Sequence, residues 1–177
     1  MVKQAHIGDA SKNTLSSYAY MIMLINYLQS IGVLPYLQKM RKSDEENVSH
    51  IINGYETWFQ EDLNFVRENF RTKNSDSISA LWLGFLKYIE DFDLVNEVVQ
   101  IREPGKFPVS RKPEWEEKLM YIEDPFELSH NLARGVISET RQKILEIFGR
   151  YRDIWDSQFL FLVVQDYRYR VINPCFG

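Results

Sequence analysis

Residues 121–131 constrain the fold more than any other part of the sequence, because they place three carboxylates and one imidazole around a single proline. Pro125 fixes its own φ and pushes Asp124 towards an extended conformation, so the chain must change direction here. The apolar residues before the turn indicate a short strand. Such a strand can aim Asp124 and His130 into one cleft; the alternative is a solvated loop with a capped helix behind it.

Residues 15–29 are predicted to form a helix that is capped by Thr14 or Ser16. The helix is apolar on nearly every side over residues 19–28, which is typical of a fully buried helix at the centre of a domain. Asn13 lies in the turn before it, where asparagine tolerates the left-handed backbone conformation better than most residues do.

Three further helices are predicted from the helical spacing of apolar residues, at residues 62–70, 77–92 and 137–155. The second of these is the clearest amphipathic helix, with Ser75 or Ser77 as its cap, and the last is long, with Ser138 as its cap.

Strands are predicted at residues 97–102, at the approach to Asp124 and, from an apolar run, at residues 160–164. The expected fold class is therefore mainly α with a few short strands, in a single domain that covers residues 1–177.

The composition limits what the chain can bind on its own. The net charge is −4 and the pI is about 5.5, whereas a free-standing RNA-binding domain usually has a basic face. Cys175 is the single cysteine of the sequence, which excludes an internal disulfide and a cysteine-based zinc cluster. There is no apolar run of membrane length and no recognisable secretory leader, so we expect no membrane partner.

The residues alone do not complete a known catalytic site. His6, His50 and His130 lack the spacing of metal ligands, and we expect no metal site. Ser16 or Ser17 can be combined with His130 and Asp124 into a triad, but no nucleophile-elbow pattern supports one. Neither a Walker loop nor a Gly-rich dinucleotide turn is present.

Two segments together resemble the paired signature of the terminal uridylyltransferases, which are template-independent RNA nucleotidyltransferases related to the cytoplasmic poly(A) polymerases. These segments are residues 13–20, with the sequence NTLSSYAY, and residues 122–131, with the sequence IEDPFELSHN. The resemblance runs from about residue 2 to about residue 151. It covers only the helical central domain of such an enzyme, including the poly(A)-polymerase-associated region.

The resemblance implies roles at the start of the 15–29 helix. Tyr18 would stack on the nucleobase, since an aromatic face binds any base. Ser17 and Lys3 would contact the triphosphate, and the free amides at a helix start favour an anion there. The alternatives are that Ser17 only caps, that Tyr18 only packs and that Lys3 is a bystander.

The resemblance also implies that the turn reads the base edge of UTP. Asp124 would accept from N3–H of uracil, His130 would donate to O4, and Glu127 would orient His130. Adenine would meet mismatched groups there, because it offers an acceptor at N1 and a donor at N6. The structural alternatives are that Asp124 caps its own turn and that His130 is a satisfied buried imidazole.

The family's catalytic domain carries a Gly-Ser turn, an Asp-x-Asp pair and a third Asp that hold two metal ions, and the sequence has no such pattern. We therefore expect a chain that is inactive alone, that uses Mg²⁺ or Mn²⁺ only with a separate catalytic domain, and that meets RNA 3′ ends through the whole enzyme. A cytoplasmic location, with a nuclear one as the alternative, and no DNA partner are expected. The alternative functions are the same region of a cytoplasmic poly(A) polymerase, in which the position of His130 is commonly not histidine, and a non-catalytic interaction fragment or pseudoenzyme.

Overall fold

The computed structural model describes residues 7–44, 49–115 and 117–172. The fold is mainly helical, as predicted, and within those residues it has four α-helices and one two-stranded sheet. The helices are α1 (Ser17–Ser30), α2 (Leu63–Asn69), α3 (Ile78–Asp91) and α4 (Ser138–Ile172), and the strands are β1 (Ile51–Ile52) and β2 (Tyr55–Glu56). Short 3-10 helices cover Ala10–Lys12, Leu37–Lys39 and Val109–Arg111.

Local signals at both ends define α1. The hydroxyl oxygen of Ser16 accepts from the N–H of Ala19 at 3.1 Å, so Ser16 is the cap. At the other end Gly32 has a φ of +70°, and the N–H of Val33 donates to the carbonyl of Leu28 at 2.8 Å. This is the Schellman arrangement, in which a left-handed residue satisfies the last carbonyls of a helix.

The prediction that α1 is fully buried is wrong on one side. Ala19 and Met23 are completely buried, whereas Tyr18 is 40% exposed and Met21 is 57% exposed. An apolar helix is buried only where other elements cover it, and the side of α1 that carries Tyr18 borders a cavity instead.

The main core lies where α1, α3 and α4 meet. The ring of Phe148 on α4 lies 6.0 Å from that of Tyr20 on α1 and 5.8 Å from that of Phe85 on α3, measured between centroids. Helices α1 and α3 approach so closely at Gly84 that a Cβ built there would lie 2.0 Å from the hydroxyl oxygen of Tyr27. Glycine is therefore required at this contact.

The segment predicted as a strand at residues 97–102 pairs only through isolated bridges, Glu97 with Pro108 and Val99 with Ile122. Side chains of α1 occupy the carbonyls that a longer ladder would use. Asn26 Nδ2 donates to the carbonyl of residue 100 at 2.7 Å, and Gln29 Nε2 donates to that of residue 101 at 3.1 Å. The approach to Asp124 is likewise extended but is not a full strand.

The predictions for the C-terminal part are wrong in two respects. Residues 160–164, for which the sequence predicts a strand, belong to helix α4 instead. Ser138, which the sequence predicts as the cap before this helix, is the first residue of the helix itself. A short apolar run does not distinguish a strand from a helical segment, and no glycine or proline interrupts the sequence between Gly149 and Pro174. A helix that has already started therefore continues.

The hairpin formed by β1 and β2 was not predicted. Its turn residues Asn53 and Gly54 have φ values of +53° and +87°, as a type I′ turn requires. The Asn-Gly pair is the sequence signal that identifies this hairpin.

Candidate functional site

The backbone of residues 124–130 forms a closed turn, which we call the reading turn. Asp124 Oδ1 accepts from the N–H groups of Phe126 at 2.9 Å and Glu127 at 3.0 Å. The N–H of Asp124 donates to the carbonyl of His130 at 3.1 Å, and the N–H of His130 donates to that of Glu127 at 2.8 Å. Asp124 therefore caps its own turn, through one of its two carboxylate oxygens.

Glu127 lies beside His130 within the reading turn. His130 Nδ1 is 3.7 Å from Glu127 Oε2, and the imidazole is 28% exposed. This separation exceeds a hydrogen-bond length, so Glu127 does not fix the imidazole tautomer. The imidazole is only partly buried, and its role as a base reader stays a prediction.

Tyr18 is brought to the reading turn from the start of α1. Burial and, to a smaller degree, the charge of Asp124 raise the pKa of the Tyr18 phenol. Tyr18 also lines an apolar cavity of about 320 Å³ together with Pro125 and Phe126 of the reading turn. The two segments singled out in the sequence therefore meet, and an exposed aromatic ring lies at their junction.

Of the two predicted phosphate contacts, Ser17 and Lys3, the structure describes only Ser17. Ser17 is the exposed first residue of α1, and Ser16 provides the cap, so the hydroxyl of Ser17 is not the cap of this helix. Lys3 lies outside the described residues.

The β1–β2 hairpin borders the reading turn, a neighbour that the sequence did not predict. The charge of Glu127 and a hydrogen bond to it raise the pKa of Tyr55 at the tip of the hairpin. A second cavity, of about 430 Å³, lies between Tyr55 and the reading turn.

The sequence does not predict that Glu123 is buried in an ion-pair cluster beside the reading turn. Its side chain is fully buried, and its carboxylate contacts Arg102 Nε at 2.7 Å and Lys112 Nζ at 2.6 Å. Ile122 beside it is also fully buried, so the alternation of a half-exposed strand does not apply here. The only signal in the sequence is the position of Glu123 in an apolar segment.

Within the described residues no group of three or more histidine, cysteine, aspartate or glutamate side chains could hold a metal ion. No helix in the described part is both long enough and apolar enough to span a bilayer.

The sequence is similar to RNA nucleotidyltransferases. Residues 77–130 match the family described as Cid1 family poly A polymerase. The chain is 33% identical over 172 residues to terminal uridylyltransferase 4 of Homo sapiens, a match that covers 94% of the chain and 10% of the relative. It is 34% identical over 154 residues to poly(A) RNA polymerase GLD2-B of Xenopus laevis, covering 84% of the chain and 28% of the relative.

The fold is also similar to solved structures. A mutant Cid1 poly(U) polymerase bound to MgATP superposes with a TM-score of 0.75 at 28% identity, over 88% of this chain and 47% of that one. Cid1 in complex with the UTP analogue UMPNPP gives a TM-score of 0.71 at 28% identity, over 84% and 48%. The chain thus spans about a tenth of terminal uridylyltransferase 4 and under half of each of these solved chains.

Proposed function

The chain belongs to the Cid1 family of terminal uridylyltransferases and poly(A) polymerases, as its poly(A)-polymerase-associated region, and on this premise we propose that it is the UTP-recognition domain of an RNA uridylyltransferase. The observation that carries the proposal is that the exposed Tyr18 ring lines the same cavity as Pro125 and Phe126 of the reading turn. That junction offers a flat aromatic surface beside an edge of polar groups, which is what a nucleobase needs.

Tyr18 supplies the stacking surface for the base. A tyrosine phenol is neutral at physiological pH, and the shift at Tyr18 raises its pKa further, so the ring adds no negative charge beside a triphosphate. Ser17 precedes Tyr18 at the start of α1. The backbone N–H groups of a first helical turn favour an anion, so we place the proposed phosphate site at this end of the helix. Lys3 is proposed as a further phosphate contact.

Asp124 and His130 supply the edge that distinguishes uracil. Uracil presents a donor at N3 and an acceptor at O4, which complement a carboxylate oxygen and an imidazole N–H. Because Asp124 uses Oδ1 for the turn, Oδ2 is the oxygen that we assign to N3–H. Nε2 of His130 is the atom that we assign to O4, with Glu127 adding negative charge on the far side of the ring.

The whole enzyme would supply the remaining parts. We propose that a catalytic domain brings the metal-binding carboxylates, Mg²⁺ or Mn²⁺ and the grip on the RNA 3′ end, that this chain alone adds no nucleotides, and that the enzyme works in the cytoplasm. A second candidate, the same region of a poly(A) polymerase, is supported by the similarity to GLD2-B. His130 favours the uridylyltransferase.

Substitution of Tyr18 tests nucleotide binding in the enzyme that contains this domain and its catalytic domain. Stacking on an aromatic side chain contributes about 1–3 kcal/mol, so Tyr18→Ala is expected to raise the KM for UTP and for ATP alike by about 5- to 150-fold. Tyr18→Phe keeps the ring and should retain most of the affinity. The measurement is steady-state tailing of one RNA at varied nucleotide concentration.

Met21→Ala is the matched control, because Met21 is also exposed and lies one turn further along α1. Its KM should equal that of the wild type. A Tyr18→Ala enzyme with the wild-type KM would contradict the proposal.

A further inference from the structure

Two side chains from outside the reading turn hold the carbonyls that directly precede His130. Lys112 Nζ donates to the carbonyl of Leu128 at 2.6 Å, and Trp115 Nε1 donates to that of Ser129 at 2.9 Å. Both donors come from the segment that follows the 3-10 helix Val109–Arg111. The backbone that directly precedes His130 is therefore held by two donors from another segment of the chain.

Lys112 is also fixed at its other contact. Its side chain is 8% exposed, and its ammonium lies 2.6 Å from the fully buried carboxylate of Glu123. Arg102 completes the cluster through a bidentate contact with Glu123 at 2.7 and 3.3 Å. The ammonium of Lys112 thus links Glu123, just before the reading turn, to the carbonyl of Leu128 near the end of the turn. Because the ammonium is buried, breaking either contact costs free energy.

Trp115 is held by packing. Its ring stacks on that of Tyr121 with centroids 5.9 Å apart and an angle of 9° between the planes, and Lys112 Nζ lies 5.0 Å from the Trp115 ring centroid. These contacts orient the indole N–H towards the carbonyl of Ser129, although this hydrogen bond is exposed to solvent.

We propose that Lys112 and Trp115 are positioning residues for His130, which hold the reading turn in the one geometry that discriminates uracil from adenine. The inference rests on the proposed function of the turn. Selective hydrogen bonding needs the reading group held to within about 0.5 Å, and a surface turn does not provide this by itself. A merely structural role would change stability without changing base choice.

The test compares Lys112→Met and Trp115→Phe with wild type in the enzyme that contains this domain and its catalytic domain. Trp115→Phe removes the N–H donor and keeps an aromatic ring against Tyr121, although a smaller one. Competitive tailing of one RNA with UTP and ATP gives the preference, and hydrogen exchange of the backbone amides of residues 127–130 reports the turn directly. The expected result is a three- to tenfold fall in UTP preference for each variant, together with faster exchange.

Lys106→Met and Trp82→Phe are the matched controls, because Lys106 forms an exposed ion pair and Trp82 is partly buried against the main core. These two should keep the wild-type preference even where they lower the melting temperature. Should Lys112→Met fail to fold, Trp115→Phe carries the test.

His130→Ala, measured in the same assay, separates the two hypotheses. If His130→Ala lowers the UTP preference while Lys112→Met and Trp115→Phe leave it unchanged, the positioning inference is overturned and the proposed function stands. If His130→Ala leaves the preference unchanged, the proposed function fails and the inference falls with it.

Discussion

The carboxylate of Asp124 has a structural task through Oδ1, and the recognition task that we propose for it uses the other oxygen, Oδ2. Oδ1 accepts two backbone N–H groups of the reading turn, at 2.9 and 3.0 Å. The charge of the same group, after burial, is the second cause that raises the pKa of Tyr18, the proposed stacking residue. A substitution that keeps the hydrogen bonds of the turn but removes the proposed acceptor for N3–H distinguishes the two tasks.

Asp124→Asn is that substitution. The amide keeps one oxygen for the turn but places an NH₂ group where N3–H of uracil needs an acceptor. Since a hydrogen bond to a charged group contributes about 1.5–3 kcal/mol, the KM for UTP is expected to rise by at least about tenfold. The melting temperature should stay close to that of the wild type.

Asp124→Ala is the comparison, because it removes both tasks and should lower the melting temperature as well as raise the KM. Kinetics of the complete enzyme and thermal unfolding of the chain supply the two measurements. An Asp124→Asn enzyme with an unchanged KM would assign Asp124 to the turn alone.

At the scale of the elements, the contact between α1 and α3 depends on the absence of a side chain at Gly84. A Cβ there would lie 2.0 Å from the hydroxyl oxygen of the buried Tyr27, so Gly84→Ala must displace the ring or the helix. Overpacking of this kind typically costs about 1–3 kcal/mol, and it outweighs the roughly 1 kcal/mol that alanine gains over glycine within a helix.

Gly149→Ala in α4 is the control for this contact. A Cβ at Gly149 meets only the carboxylate end of Glu90, at 3.0 Å, so a small shift of this side chain, which also pairs with Arg152, makes room for it. Urea unfolding should therefore show Gly84→Ala less stable than wild type and Gly149→Ala about as stable or slightly more stable. Equal midpoints for the two variants would show that α1 and α3 do not pack as described.

The helix starts were predictable because their signals are local. Ser16 caps α1 and Ser77 caps α3, each by accepting the N–H three residues later. The strands were not predictable, because the bridge at Val99 depends on Ile122, and Gln29 takes the carbonyl of residue 101 that would extend this ladder. These contacts join parts of the chain that are far apart in sequence.

In the candidate site, too, the local features were predictable and the long-range contacts were not. The turn at Asp124 and Pro125 follows from the stereochemistry of proline, and the resemblance anticipated that Tyr18 would lie near it. The buried carboxylate of Glu123 and its partner Lys112 were missed, because nothing in the spacing of charged residues indicates which of them are buried together.

At the scale of the whole molecule, we propose that the chain supplies nucleotide recognition and that another part of the enzyme supplies the chemistry. Its net charge of −4 does not favour a polyanion, and among the described residues no acidic cluster could hold a metal ion. The proposed contribution of this domain is therefore the choice of nucleotide, and the account depends on His130 as the group that makes this choice.

Competitive tailing of one RNA with UTP and ATP tests that dependence most directly, with the complete enzyme carrying His130→Asn or, as the control, His50→Asn at the exposed start of the hairpin. Losing the bond to O4 costs UTP about 1 kcal/mol, and the space that a smaller side chain opens favours the purine by a similar amount. The account predicts that His130→Asn lowers the UTP/ATP ratio by on the order of tenfold or more, while His50→Asn leaves it unchanged. An unchanged ratio in an active His130→Asn enzyme would contradict it.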